Sequence, residues 1–163
     1  MKFINIPVRI SEIEDMRELS FDEVKLIELS REMVYNAYAP YSEFFVGAAI
    51  LLENGEIVKG SNQENAAYPS GLCAERVAAF AASSIYPGLK MKAVAISAKS
   101  SHRALTAPVS PCGACRQVLL EYEVKQNEPI RLFLSGESGN IYVVDKVQDL
   151  LPLSFTAGDL GKM

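Results

Sequence analysis

Phe3, Ile4, Ile6, Val8 and Ile10 open the chain in a near-alternating apolar pattern, which predicts a short strand. The segment Ser11-Glu12-Ile13-Glu14-Asp15 is acidic and reads as exposed. Ser20 and Glu23 stand at capping-box spacing. Beyond them Val24, Ile27, Met33, Val34 and Ala37 recur mostly at helical intervals, so a helix of roughly 18 residues should run to about Tyr38. Ala39-Pro40-Tyr41 stops it. Residues 45–52 form the next apolar run and read as a strand. Asn54-Gly55 predicts a hairpin turn, because both residues tolerate positive φ, returning the chain through residues 57–60.

Residues 61–72 are rich in turn formers and read as a loop, and a helix of small residues starts at Cys73. Residues 91–98 are apolar without clean alternation, the pattern of a strand buried on both faces. After a loop over 100–109, Ser110-Pro111 reads as a helix cap followed by proline in the first turn, with the helix reaching about Tyr122. Residues 130–135 and 141–144 read as two more strands, and 147–151 as a short helix. No repeat or linker interrupts the chain. These elements predict an α/β fold, a three-layer α/β/α sandwich with a mixed central sheet. Residues 1–19 read as an N-terminal extension to a single domain over 20–163.

A chain of 163 residues can bury one sizeable core, and 49% hydrophobic with 22% charged residues is an ordinary globular balance. The net charge of −4 and scattered basic residues argue against a nucleic-acid partner. No apolar run approaches the roughly 20 residues that span a bilayer, so no membrane partner is expected. The first residues also lack the plan of a secretory signal. Three cysteines cannot complete a disulfide framework within one chain, which points to a reducing, cytoplasmic setting with the thiols on a metal.

The cysteines fall in two runs, Cys73-Ala74-Glu75-Arg76 and Pro111-Cys112-Gly113-Ala114-Cys115-Arg116. Three sulfur ligands can hold Zn²⁺ and keep a fourth position open for water, the arrangement of a catalytic site. Glu75 is the candidate acid–base residue, moving protons between water and an aminopyrimidine. Helix N-termini at Cys73 and at the Cys112/Cys115 pair would favour thiolates. Arg76 and Arg116 are the cations available to offset the excess negative charge by hydrogen bonds to sulfur, Arg76 foremost. Weighed against this, a lone Cys-x-x-Cys can be redox-active or structural. Redox use leaves Cys73 and Glu75 idle, and a structural knot generally wants four protein ligands. The single His102 lies in a polar loop and reads as solvated.

Together with residues 39–49 and 62–68, these runs resemble the cytidine deaminase family, in its small, three-cysteine, homotetrameric form, over about residues 35–159. The resemblance implies a cytidine deaminase-like fold and one zinc per subunit on Cys73, Cys112 and Cys115, with Glu75 catalytic. It also implies hydrolytic deamination of cytidine and deoxycytidine. Asn62 and Glu64 would hold the ribose hydroxyl, and Phe44 would pack on the base. Backbone groups of Ala66 and Ala74 would bind the pyrimidine edge, and the Ser110 carbonyl would face the leaving ammonia. Phe155 of a neighbouring subunit would close the pocket, and Tyr68 resembles a subunit-contact residue. Pro69-Ser70-Gly71-Leu72 departs from the family pattern beside the base pocket. Blasticidin-type deaminases share the second cysteine run, and a deaminase of a modified nucleoside or antibiotic is the alternative. The Asn62-to-Tyr68 stretch favours a nucleoside.

Overall fold

The computed structural model describes residues 1–161. Its strands are β1 (Ser11–Ile13), β2 (Phe44–Leu52), β3 (Ile57–Ser61), β4 (Met91–Ser100), β5 (Arg131–Ser135) and β6 (Ile141–Val144). Its helices are α1 (Phe21–Met33), α2 (Ala74–Ile85) and α3 (Gly113–Gln126). The strands form one sheet in the order β1-β6-β5-β4-β2-β3, with β4 and β5 parallel and the other neighbours antiparallel.

Alternation along the strands builds two apolar layers. Ile50, Val94, Ile96, Leu132 and Leu134 pack against Ala78, Ala79 and Ala82 of α2 and Leu119 and Leu120 of α3. The intervening Ala49, Ala93, Ala95 and Phe133 pack against Leu26 and Ile27 of α1 on the opposite face. The expected three-layer sandwich with a mixed sheet is therefore the observed one. The central strand β4 is buried on both faces over most of its length. Its buried polar residue Ser97 is satisfied by the hydroxyls of Ser30 at 2.6 Å and Ser135 at 2.7 Å.

Four local expectations are corrected. Residues 3–10 are exposed and form no strand; pairing begins at Ser11–Ile13, which lies antiparallel to Ile141–Val143. The free edge of β6 and the packing of Ile13 on the α1 layer decide this, rather than apolar alternation. The capping box at Ser20 and Glu23 is present, but α1 ends at Met33 and tightens into a 3₁₀ turn over Val34–Asn36. The chain then turns extended at Ala37, and the backbone of Tyr38 is taken by the 62–64 loop: its N–H donates to the Asn62 carbonyl (3.0 Å) and its carbonyl accepts from Glu64 N–H (2.8 Å).

In the β2–β3 hairpin, Gly55 alone of the pair takes positive φ, at +86°. Asn54 instead accepts from Glu56 N–H through its side chain, and Gly55 N–H bonds the Leu52 carbonyl, giving a three-residue loop rather than a two-residue one. Finally, α3 is capped by Cys112, not Ser110, with buried Pro111 lying before the cap. The helix runs on to Gln126 and stops at Asn127 in the left-handed region (φ +51°). Three hydrogen bonds donated to the buried Glu123 carboxylate by the backbone N–H groups of Ile130, Val147 and Gln148 tie the end of α3 to the start of β5 and to the turn beyond β6.

Candidate active site

Two helix starts converge on the thiols. Cys73 is the N-cap of α2 and Cys112 the N-cap of α3, and neither side chain is spent on capping. Cys115 lies one turn into α3 and is buried. The Sγ atoms of Cys73 and Cys112 are 3.9 Å apart, those of Cys112 and Cys115 3.4 Å, and all three lie within 4.8 Å of one another. A tetrahedral zinc with sulfurs at ≈ 2.3 Å needs S···S separations of about 3.8 Å, so the donor set fits that ion. The Cys73 thiol is lowered to about 5, first by the hydrogen bond it accepts from Cys115 and also by Arg76 and Cys112. Cys115 is pushed up, because it donates to the Cys73 sulfur and is desolvated.

Glu75 sits in the first turn of α2 at 4% exposure. Burial pushes its carboxyl up, the Cys73 sulfur adds to this, and Cys115 and Arg76 oppose it. Its Oε2 is buried and has no hydrogen-bond partner among the described residues. A buried carboxyl oxygen without a partner is costly unless something else comes to meet it.

Arg76 donates through Nη2 to the Cys73 sulfur at 3.8 Å, as expected of the cation that offsets thiolate charge. Arg116 is corrected: its Nε donates to the Pro111 carbonyl (2.9 Å) and its Nη1 to the Leu150 carbonyl (3.0 Å), bracing the cysteine loop instead of a sulfur. Replacing Arg76 with Ala should weaken zinc binding about 10–100-fold, the usual cost of losing a partner to a metal ligand. Chelator competition measures this, and unchanged affinity would refute the role.

A cavity of about 510 Å³ opens beside Cys73 and Arg76, with Asn62, Glu64, Tyr41 and Ser42 in its wall. Its loop is strapped to the cysteine run, because Gln63 and Leu72 exchange backbone hydrogen bonds of 2.8 and 2.9 Å. Both ends of the Asn62 amide bond β2: Oδ1 accepts from Val46 N–H (2.8 Å) and Nδ2 donates to the Phe44 carbonyl (2.9 Å). The Glu64 carboxylate accepts from Tyr41 N–H, Ser42 N–H and the Ser42 hydroxyl. Gly71 and Leu72 also line the cavity.

The other expected positions lie outside the cavity's lining. Phe44 is half-buried at the start of β2, Ala74 is fully buried as the first residue of α2, and Ala66 and Ser110 are exposed loop residues. Phe155 is 59% exposed. Its carbonyl accepts from Gln117 Nε2 at 2.8 Å, which ties the C-terminal segment to the first turns of α3. His102 lies exposed in its loop, as expected.

Gly60 was not singled out by its sequence, yet it places the site. A Cβ there would lie 2.7 Å from the Ala74 carbonyl and 2.6 Å from Ala78 N, so α2 presses directly on β3. The signal available in the sequence was a glycine inside a strand pattern, which marks close backbone approach. Gly60→Ala must push α2 away, at a cost of about 1–3 kcal/mol or more. The expected result is a lower Tm together with substoichiometric zinc; a variant melting like the parent with full zinc would contradict the packing role.

Residues 21–127 match the family model for the "Cytidine and deoxycytidylate deaminase zinc-binding region". The chain is 44% identical over 141 residues to a cytidine deaminase of Sporosarcina psychrophila, covering 86% of this chain and 96% of that one. It is 39% identical over 140 residues to a cytidine deaminase of Halalkalibacterium halodurans, covering 86% and 98%. Among solved structures, the cytidine deaminase of Burkholderia pseudomallei superposes with a TM-score of 0.70 at 37% identity, covering 81% of this chain and 98% of that one. That of Mycobacterium tuberculosis gives 0.64 at 33%, covering 83% and 98%.

Proposed function

The chain belongs to the cytidine deaminase family, and on that premise we propose how its residues share the work. The enzyme hydrolyses cytidine and deoxycytidine to uridine and deoxyuridine with release of ammonia, the general role being pyrimidine salvage. It takes one zinc per subunit, for which Cys73, Cys112 and Cys115 are the donors. When bound, zinc supplies the Lewis acidity that brings the pKa of a water toward neutrality.

Glu75 takes one proton from the attacking water and passes it to the ring nitrogen, then takes the second from the new C4 hydroxyl and passes it to the amine. The C4–O bond forms, the bond from C4 to the exocyclic amine breaks, and ammonia leaves. The partnerless buried Oε2 beside three clustered thiols is the observation that carries this assignment. A carboxyl raised by burial holds a proton more readily than an ordinary one, as a group that both accepts and returns protons must. Asn62 and Glu64 bind the sugar, Phe44 packs on the base, and backbone groups of Ala66, Ala74 and Ser110 meet the pyrimidine edge and the departing amine. Arg76 tempers the sulfur charge.

The working form is a homotetramer in which Phe155 reaches a neighbouring subunit's pocket. Its exposure, with that of Leu153 (83%) and Tyr68 (77%), supports this reading. An absorbance assay on cytidine, deoxycytidine, adenosine and blasticidin S, run beside metal analysis, tests the function. Turnover of the two cytosine nucleosides with one zinc per subunit is expected. Preference for blasticidin S would overturn the substrate assignment.

A further inference from the structure

Resting on the reading of Glu64 as a sugar ligand, we propose that Ser42 is a positioning residue that aims Glu64 at the 3′ hydroxyl carried by both cytidine and deoxycytidine. An ionised carboxylate is acceptor-only, with about four lone-pair sites. Glu64 has three of them filled from one turn: Oε2 accepts from Tyr41 N–H (2.9 Å) and Ser42 N–H (3.2 Å), and Oε1 accepts from the Ser42 hydroxyl. The remaining site is on Oε1, beside Ser42, in the wall of the cavity that also holds Cys73 and Arg76. An open acceptor there matches a hydroxyl donor.

Ser42 is itself held. Its Oγ accepts from Phe44 N–H at 3.1 Å, so its single proton is directed to Glu64. The turn that carries it is fixed by Glu43, a non-glycine residue at φ +50°. Glu43 N–H bonds the Ala39 carbonyl, and the Glu43 carbonyl accepts from Ser101 N–H, both at 3.1 Å. The Ser42 hydrogen bond also favours the ionised form of Glu64, whose carboxyl is lowered by it. One side chain thus links the sugar carboxylate to the backbone of Phe44, the proposed base-packing residue.

The test compares deoxycytidine with 2′,3′-dideoxycytidine, which differ at the 3′ hydroxyl, in the zinc-loaded enzyme and its variants. Ser42→Ala should raise KM for deoxycytidine about tenfold with kcat little changed, as befits the loss of a charge-assisted hydrogen bond. The dideoxy substrate should lose far less, so that the ratio of kcat/KM values shrinks. Ser42→Thr, which keeps the hydroxyl, should retain most of the discrimination, and Glu64→Gln should abolish it. Equal losses on both substrates with Ser42→Ala, or no loss on either, would overturn the role of Ser42. If Glu64→Gln still removed discrimination in that case, the sugar-ligand reading would stand without it. If Glu64→Gln left the ratio untouched, that reading would fall and the proposal with it.

Discussion

Glu75→Gln is expected to reduce kcat by about 10⁴-fold or more, while the protein stays folded and keeps its zinc. General acid–base catalysis contributes ~10²–10⁴-fold by proton transfer alone. Here the same carboxyl serves the water, the ring nitrogen and the leaving amine, so its loss should reach the upper end or pass it. Gln keeps the shape and a hydrogen-bonding oxygen but cannot carry a proton. Stability should not suffer. Burial raises the Glu75 carboxyl, so the ionised form is disfavoured in the folded state, and the stability linked to this group is present at low pH and lost as pH rises through the raised value. Removing the charge therefore holds or raises Tm at neutral pH. Steady-state kinetics, metal analysis and a thermal melt on one preparation check all three expectations. Near-parent turnover would end the assignment of Glu75.

Cys112→Ser should lose zinc and, with it, all measurable activity. Cys112 is the middle thiol, 3.9 Å from the Cys73 sulfur and 3.4 Å from that of Cys115. It also stands at the N-cap position, with no side-chain capping bond, of the helix whose first turns bind the Leu150 and Phe155 carbonyls through Arg116 and Gln117. Without it two thiols remain, too few for the closed three-sulfur grip of a catalytic zinc. Because the ion binds the folded state, its loss also removes stabilisation of RT ln(1 + [Zn]/Kd), about 4 kcal/mol at a thousandfold excess over Kd. A chelator should lower the Tm of the parent in the same way, and added zinc should restore the parent but not the variant. Full zinc content in Cys112→Ser would show that the ion is held elsewhere.

Much of this site was legible because its chemistry depends on residue type. Two thiols with two residues between them at a helix start, a carboxylate two positions after another thiol, and cations beside both leave few alternatives, and the structure brings the three sulfurs together. Arg76 and Arg116 looked alike by the same logic, each adjacent to a key residue. They diverge because one guanidinium meets sulfur while the other finds two carbonyls that no local pattern announces.

What the amino-acid order determined alone is therefore the set of donors, the capping box at Ser20 and the layer alternation that makes a three-layer sandwich. Each arises from contacts within a few residues or from burial period. Tertiary structure decided the rest: that Ser11–Ile13, not the apolar run before it, completes the sheet; that α1 ends where Tyr38 is claimed by the 62–64 loop; that Gly60 seats α2 and Ser42 grips Glu64. In each of these cases the partner is a backbone group or strand edge distant in the chain. Its position does not exist until the sheet has formed.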